Sequence, residues 1–437
     1  MQVQTVKSFL SVAAGVAAAM SLVAFVQPVL AQTQQGGSAT SGSSRAGASR
    51  GGEKEAPPTG LDTQTAKVLS EAIELLNMEN YAGASQKIGT LNLEKLSPYE
   101  RSKTEQILFQ VAYSQEKYAE ARDHLKKAVD AGGLNAQESS DARYQMAQLF
   151  IQEEKWKEGA AALEDWIKTA TQPDSVAKPN SAAYYLLAAA YYQLEEYDRA
   201  LPPAKKAVEL AEKPNENWLG MLSALYLQKD QYKDAIPVLE QLVALAPSKK
   251  TYWSQLSSVY GQLEDYPKAL AVMQIAYSAG LVTDDAEVRR LADLLMFNDV
   301  PYRCGQLLEG AIEKKVVKTD DKLYEKLANC WIASGELEKA IQPLTRAAEV
   351  SASGDLYIRL GEVQMQREDW QGMQSAVQKA IDKGQLRDTP NAQLLMGIAL
   401  YQQKKCNDAK SWLQKARGAD KTRQMATGYL QLCDAQA

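Results

Sequence analysis

The chain has very few side chains suited to acid–base, metal or phosphate chemistry. Its 437 residues include one histidine, His124, and four cysteines, and these five residues show no spacing typical of a zinc site. No strand pattern precedes a glycine-rich loop that could hold a phosphate. His124 stands beside Asp123 and Lys126, so we expect it at a solvated position on a helix. We therefore predict a protein that is not an enzyme and holds no cofactor or metal.

The sequence also lacks an excess of positive charge and a strand pattern. Lysine and arginine together number 49 against 54 acidic residues, which gives a formal net charge of −5. No basic stripe is present, and this argues against nucleic acid as a partner because such binding depends on neutralising phosphates. Apolar and polar residues do not alternate over any stretch, which argues against β-strands.

One phrase is repeated ten times between Tyr81 and Cys406: an apolar helical segment, a short polar turn, a turn residue that is most often aromatic, and a small residue three positions later. The turn residues are Tyr81, Tyr118, Trp156, Tyr197, Tyr232, Tyr266, Pro301, Leu337, Trp370 and Cys406. Successive turn residues are 33 to 41 positions apart. This period is typical of the tetratricopeptide repeat, in which two antiparallel helices form a unit and the units stack.

Apolar and small residues recur at helical spacing within each copy. In the clearest copy, Leu187, Ala188 and Tyr191 share one face of the first helix, and Tyr197 and Ala200 share one face of the second. We predict an all-α fold, an α-solenoid of ten tetratricopeptide repeats over residues 61–417. A further helix within residues 418–437 is expected to cap the last repeat with a solvated face. Such a fold presents a long surface to a partner, which favours binding over catalysis.

The first 60 residues differ from the rest in composition. Residues 1–31 follow the pattern of a signal peptide: Lys7 is the only charge, an apolar run covers residues 9–26, and Ala31 precedes Gln32. We expect cleavage after Ala31 and a periplasmic product. The apolar run is about 18 residues long, the lower limit for crossing a bilayer, so an uncleaved inner-membrane anchor is the alternative. Residues 32–60 have almost no large apolar side chain and predict a disordered tether.

The four cysteines form two pairs of similar spacing. Cys304 and Cys330 are 26 positions apart, and Cys406 and Cys433 are 27 apart. In each pair the first cysteine stands early in a second helix and the other late in the following first helix, which antiparallel packing brings close. Two disulfides, each joining neighbouring repeats, are therefore one interpretation for an exported chain. Four buried thiols that act as small apolar residues are the other.

A candidate partner-binding groove is expected on the first helices of the third to sixth repeats. The predicted groove residues are Tyr144, Tyr185, Tyr192, Gln193 and Gln228. Tyrosine supplies contact area with a polar tip, and glutamine can both donate to and accept from a peptide backbone. A glutamine recurs at the end of the first helix in six repeats, at positions 152, 193, 228, 262, 366 and 402. The alternative is that these glutamines satisfy the last carbonyls of their own helices.

Three segments carry a more specific resemblance. They are Pro-Asn-Glu-Asn-Trp-Leu at 214–219, Tyr-Trp-Ser-Gln-Leu at 252–256 and Val-Pro-Tyr-Arg at 300–303. Over roughly residues 65–434 the chain resembles the periplasmic tetratricopeptide proteins of TonB-type energy-transduction clusters in Gram-negative bacteria. The resemblance implies a non-catalytic accessory of the TonB–ExbB–ExbD machinery that binds a TonB-like or ExbD-like periplasmic segment.

Two other functions remain open at the level of sequence. One is a cell-envelope assembly scaffold linked to the Tol system or to peptidoglycan synthesis, which needs the same fold in the same compartment. The other is a cell-wall-active enzyme, which needs a carboxylate of strongly raised pKa in a cleft. No position at the repeat period supplies such a carboxylate.

Overall fold

A computed structural model of the chain describes residues 60–435. The expected signal peptide and the expected tether, apart from residue 60, lie outside the described residues. Between residues 60 and 435 the structure contains 21 α-helices, one 3-10 helix at Leu93–Lys95 and no strand. The predicted all-α solenoid class is confirmed.

The α-helices follow one another with short connections. In chain order they are α1 Thr63–Asn77, α2 Tyr81–Ile88, α3 Pro98–Ser114, α4 Tyr118–Asp130, α5 Ala136–Gln152, α6 Trp156–Ala170, α7 Ser181–Gln193, α8 Tyr197–Glu209, α9 Glu216–Gln228, α10 Tyr232–Leu245, α11 Lys250–Gln262, α12 Tyr266–Ser278, α13 Asp285–Phe297, α14 Pro301–Glu313, α15 Asp321–Ala333, α16 Leu337–Val350, α17 Asp355–Gln366, α18 Trp370–Lys383, α19 Thr389–Gln402, α20 Cys406–Ala416 and α21 Asp420–Ala435. The first twenty form ten pairs, whose members we call the A helix and the B helix of a repeat. Every B helix begins at a turn residue identified in the sequence.

The chain divides into two compact units, one up to Leu242 and one from Val243 onward. In the first unit, helices α3 to α9 each pack against the next along the chain, and α7 also contacts α5 and α9. In the second unit, helices α11 to α21 pack in sequence, and α19 also contacts α17 and α21. Each unit therefore has its own stack of helix pairs. No helix within residues 60–435 is both long enough and apolar enough to cross a lipid bilayer.

The turn from A helix to B helix has one backbone conformation throughout residues 60–435. The residue two positions before each B helix has a positive φ, between 53° and 77°, in all ten repeats. The next amide then donates to a carbonyl five residues back, as Glu196 N does to Tyr191 O and Gln231 N to Tyr226 O, both at 2.9 Å. These are Schellman bonds, which satisfy carbonyls left open at the end of a helix. Nine of the ten residues with positive φ are not glycine, and Gly335 is the exception.

A small residue of the B helix lies at the crossing of the two helices. Seven repeats have a fully buried alanine three positions after the turn residue: Ala84, Ala121, Ala200, Ala235, Ala269, Ala340 and Ala409. In the third repeat this position is Gly159, and a β-carbon there would lie 2.4 Å from Ile151 Cδ1. The large Met373 occupies the same position in the ninth repeat, where the facing A helix carries Gly361. The B-helix residue at the crossing is therefore small in nine of the ten repeats, with Met373 as the exception.

In the seventh repeat, the residue three positions after the turn residue is Cys304, and its sulfur forms a disulfide with Cys330. The bond joins α14 to α15, with the two Cα atoms 5.7 Å apart. Cys406 and Cys433 are thiols that share a hydrogen bond, and burial is the main cause that raises the pKa of Cys433 to about 12. Cys406 and Cys433 thus lie close together, and a disulfide between them remains a prediction.

The second repeat contains buried charge where the sequence indicated a solvated helix. The side chain of His124 is 15% exposed, and its Nδ1 lies 2.6 Å from Oε2 of Glu105, which is 3% exposed. Nearby, Lys103 is also buried, with its Nζ 2.5 Å from Oε1 of Glu138. The expectation of a solvated His124 was wrong because Glu105 of the A helix occupies a core position facing α4. These two separate pairs join α3 to α4 and to α5 and are structural, since buried charged groups are retained only with partners.

The helix after the last repeat, α21, differs in part from the expected cap. It packs on α19 and α20 and buries Ala426 and Cys433. Its opposite side is not wholly polar, because Met425 is 56% exposed and Leu432 is 48% exposed.

The positive φ at Gly335 leads to a prediction about stability. No atom lies within 4 Å of a β-carbon placed at Gly335 or at Gly310, which stands in α14 with an ordinary helical backbone. Gly335→Ala should lower the free energy of unfolding by about 1 kcal/mol because an L-residue is strained at positive φ. Gly310→Ala should raise it by up to about 1 kcal/mol because alanine favours the helix. Urea denaturation of the two variants measures both effects, and equal effects of the same sign would contradict the assigned turn.

The disulfide leads to a second prediction. Cys304→Ala places at the crossing the residue that seven other repeats carry, so it removes the bridge with little change in packing. The variant should lose about 3 kcal/mol of stability, the chain-entropy value for a loop of this length. Thermal unfolding with and without reductant measures the effect. A wild-type protein that melts at the same temperature in both conditions would show that the bridge is absent or has no effect on stability.

Candidate partner-binding face

The A helices of the third, fourth and fifth repeats carry almost no charge. Helix α7 has no charged residue, and α9 has only Glu216, at its first position. Helix α5 has three charged residues, all in its first half. Because α7 contacts both α5 and α9, the three helices lie side by side within the first unit. Such a surface offers little to a highly charged ligand.

One stripe of residues that are not fully buried runs along each of these three helices. We call the three stripes together the central A face. It consists of Asp141, Tyr144, Gln145, Gln148 and Gln152 on α5, Ala182, Ala189 and Gln193 on α7, and Asn217, Gly220, Ala224 and Gln228 on α9. Six of these side chains are amides and only Asp141 is ionisable as a carboxylate. Partial burial raises the pKa of Asp141.

Tyr144 is a half-buried member of this face. Its ring stacks on Trp166 with centroids 4.5 Å apart, and its hydroxyl forms a hydrogen bond with Gln148. Trp166 is held in turn by a 2.9 Å bond from its Nε1 to Ser140 Oγ. Burial raises the pKa of Tyr144 to about 12, so the hydroxyl stays protonated at physiological pH. The ring is therefore a fixed contact surface with a neutral polar tip.

Tyr185 and Tyr192 lie mainly in the interior, contrary to the expectation that they are open anchors. Each is 7% exposed. The Tyr185 ring packs against Trp218 at 6.3 Å, and the Tyr192 ring meets Tyr197 edge-on at 5.5 Å. Burial raises the pKa of both tyrosines. Both rings pack beneath the central A face and expose little area to a ligand. Contacts that stabilise a bound ligand must therefore come from neighbouring residues.

The recurring glutamines are each the last residue of an A helix. This holds for Gln193 and Gln228 and for the four at positions 152, 262, 366 and 402. The last carbonyls of these helices are bonded by the backbone amides of the Schellman turns. No side-chain hydrogen bond is found for Gln193 or Gln228 within residues 60–435. The amides are thus available to a ligand, which favours the binding interpretation over the capping one.

Two members of the region were missed at the level of sequence. Gly220 stands in the middle of α9, and a β-carbon there would meet no atom within 4 Å, so packing does not require the glycine. Trp218 is half-buried between α7 and α9 and supports Tyr185. Gly220 could have been identified from the sequence, because a glycine inside an otherwise strong helical pattern is such a signal.

The A helices of the second unit have a different surface. Lys326 pairs with Asp293 of the preceding A helix, and Arg359 Nη1 lies 2.6 Å from Glu325 Oε1. Arg289 bridges Asp285 and Asp320, with N–O distances of 2.9 and 3.3 Å. These charges are already satisfied between repeats. In contrast, most amides of the central A face have no side-chain hydrogen bond to another residue of the described part of the chain.

The described residues show no arrangement suited to metal binding. No group of three or more histidine, cysteine, aspartate or glutamate side chains within residues 60–435 is placed to hold an ion. The acid pairs stand in turns, as Glu195 and Glu196 do, or cap helices, as Asp284 does by accepting from Glu287 N at 3.0 Å.

Comparisons with known proteins agree with the repeat architecture. A tetratricopeptide-repeat family model matches residues 108–175, 144–217 and 221–282. Among solved structures, the protein YrrB, described as a tetratricopeptide protein with an unusual peptide-binding site, is 18% identical, with a TM-score of 0.33 over 40% of this chain and 84% of that one. A tetratricopeptide protein from Parabacteroides merdae is 12% identical, with a TM-score of 0.35 over 69% of this chain and 98% of that one.

A third structure, the Cut9–Hcn1 hetero-tetramer of APC/C, is 12% identical, with a TM-score of 0.28 over 84% of this chain and 83% of that one. No curated protein matches the sequence significantly. The ten helix pairs, their sequence period and the family match over part of the chain together show an all-α solenoid of tetratricopeptide repeats.

Proposed function

We propose that this protein is a non-catalytic adaptor that binds an extended protein segment along the central A face. The observation that carries the proposal is the row of amides beside the fixed ring of Tyr144, on a surface with a single carboxylate; within residues 60–435, Gln193 and Gln228 of this row have no side-chain hydrogen bond. Tetratricopeptide repeats generally use their stacked helices as extended protein-binding surfaces.

The chemistry of the face suits a segment that is read mainly through its backbone. Each glutamine can donate one hydrogen bond and accept another from successive peptide groups, whatever the side chains of the ligand. The absence of paired charges favours a ligand with few charges of its own. A proline-rich segment fits this description, because it is already extended and loses little conformational entropy on binding.

The proposed setting is the periplasm, with a TonB-like or ExbD-like segment as the partner. Three observations support it: the signal-peptide pattern of residues 1–31, the resemblance to the TonB-associated family, and the Cys304–Cys330 disulfide. Disulfides form and persist mainly in oxidising compartments. A TonB-type protein typically has a proline-rich periplasmic stretch, which matches the ligand chemistry derived above.

A steric block tests the proposed face. Gly220→Phe places a ring over α9, where a β-carbon meets no atom within 4 Å, so the ring would obstruct a segment lying across the three helices. Binding of the proline-rich periplasmic peptide of the TonB-type protein from the same genome should weaken about 30-fold, the effect of losing about 2 kcal/mol. Isothermal titration calorimetry on the mature protein measures the affinity.

The matched control for this block is Gly310→Phe. Gly310 is a helical glycine with equal open space, but it lies on a B helix in the second unit. The affinity of the Gly310→Phe variant for the peptide should equal that of the wild type. Equal loss in both variants, or no loss in Gly220→Phe, would remove the central A face as the site. A wild-type protein that does not bind the peptide would instead reject the proposed partner.

Export leads to a separate prediction. Protein recovered from the periplasmic fraction should have an intact mass that begins at Gln32, because a signal peptidase is expected to cleave after Ala31. Intact-mass spectrometry with cell fractionation makes the measurement. A full-length mass in the membrane fraction would favour the anchored alternative, and a full-length mass in the cytoplasm would contradict export.

A further inference from the structure

The outward side of α21 carries an apolar seam. Lys421, Met425, Gly428, Leu432 and Ala435 follow one another at spacings of 4, 3, 4 and 3, the repeat of a coiled-coil contact line. Met425 is 56% exposed and Leu432 is 48% exposed. A β-carbon at Gly428 would meet no atom within 4 Å. The seam is thus an open surface with two large residues and two small ones.

The stripe that matches this seam is polar in α15. When Cys433 is aligned with Cys330 of α15, Met425, Gly428 and Leu432 match Lys322, Glu325 and Asn329. Helix α21 packs on α19 and α20 through Ala426 and Cys433, and no helix of the described residues lies on Met425 or Leu432. An exposed apolar line of this kind on a soluble helix indicates a docking surface.

We propose that the seam binds the same seam of a second copy of this chain, with the two α21 helices antiparallel. Antiparallel pairing about a two-fold axis near residue 430 places Met425 opposite the second copy's Ala435, and Leu432 opposite the second copy's Gly428. Each large side chain then faces a small one. The open space at Gly428 receives the leucine, and both contacts occur twice because the interface is isologous.

The charges of α21 fit this occupant. Lys421 stands on the seam four residues before Met425, so parallel pairing would bring two lysines face to face. Antiparallel pairing moves each lysine beyond the contact line of the other helix. The flanking residues Gln424 and Gln431 are exposed and uncharged, and Gln431 lies close to the axis, where two amides can bond to each other. The seam is therefore self-complementary in size and free of like-charge conflict.

The dimer should be weak. The contact line from Met425 to Ala435 covers ten residue steps, or about 15 Å of helix. Such a short pair of helices buries less than the area of a standard stable interface. We therefore expect a Kd on the order of 10 to 100 µM, with exchange between monomer and dimer. This association does not depend on the proposed partner site on the central A face.

Sedimentation velocity on the mature protein from about 1 to 300 µM tests the proposal. The wild type should shift from monomer to dimer across this range. Met425→Lys/Leu432→Lys should weaken dimerisation at least 30-fold and remain monomeric, with the same far-ultraviolet circular dichroism spectrum, because both side chains are already exposed. Gly428→Leu should also be monomeric, since it fills the space for the second copy's Leu432, whereas Gly310→Leu should dimerise as the wild type does.

The orientation is tested by cysteine crosslinking in a Cys406→Ser/Cys433→Ser background. An equimolar mixture of Met425→Cys and Ala435→Cys proteins of different mass should give the mixed crosslinked dimer, and neither protein alone should crosslink efficiently. A wild-type protein that is monomeric at 300 µM would overturn the proposal. So would dimers that persist in both lysine and leucine variants, or crosslinking that occurs only between identical positions.

Discussion

The close crossing of the two helices of each repeat is the constraint on which the rest of the structure depends. A buried alanine such as Ala200 permits this approach, and the large Met373 is found opposite a helix that carries Gly361. The left-handed turn before each B helix fixes the direction in which the second helix returns. Burial in this stack, not helix propensity alone, stabilises helices of about thirteen residues.

Because the crossing uses only one side of each A helix, another side can carry residues that do not pack on the B helix. In the second unit this side is crossed by ion pairs such as Arg359–Glu325, which connect neighbouring repeats and leave few charges unpaired. In the first unit, α7 has no charged residue, the one ion pair of α5 joins Glu138 in its first turn to Lys103 of α3, and the central A face consists mostly of amides and small residues. Partly exposed ion pairs contribute little stability each, so the difference between the surfaces concerns recognition more than folding.

The positions of the helices could be predicted well from the sequence, because the turn residue and the small residue mark every repeat. The burial and the contacts of individual side chains could not be predicted in this way. Tyr185 and Tyr192 stand at positions that face away from the B helix, yet Trp218 and Tyr197 cover them, and the repeat period carries no information about the size of a neighbour. His124 likewise is only partly exposed, because it pairs with the buried Glu105, 19 residues earlier. Local pattern places the backbone, whereas these contacts depend on pairs of residues from different helices.

Site-specific photocrosslinking in cells tests most directly whether the central A face holds an extended partner segment. A photoreactive phenylalanine derivative at Gln193 lies on this face, and one at Lys233 lies exposed on the B helix α10. Mass spectrometry of the adducts identifies the captured protein and the segment attached. The account predicts an adduct at Gln193 with an extended periplasmic segment of low charge, and none with that segment at Lys233. Capture of the same segment at Lys233 but not at Gln193 would contradict it.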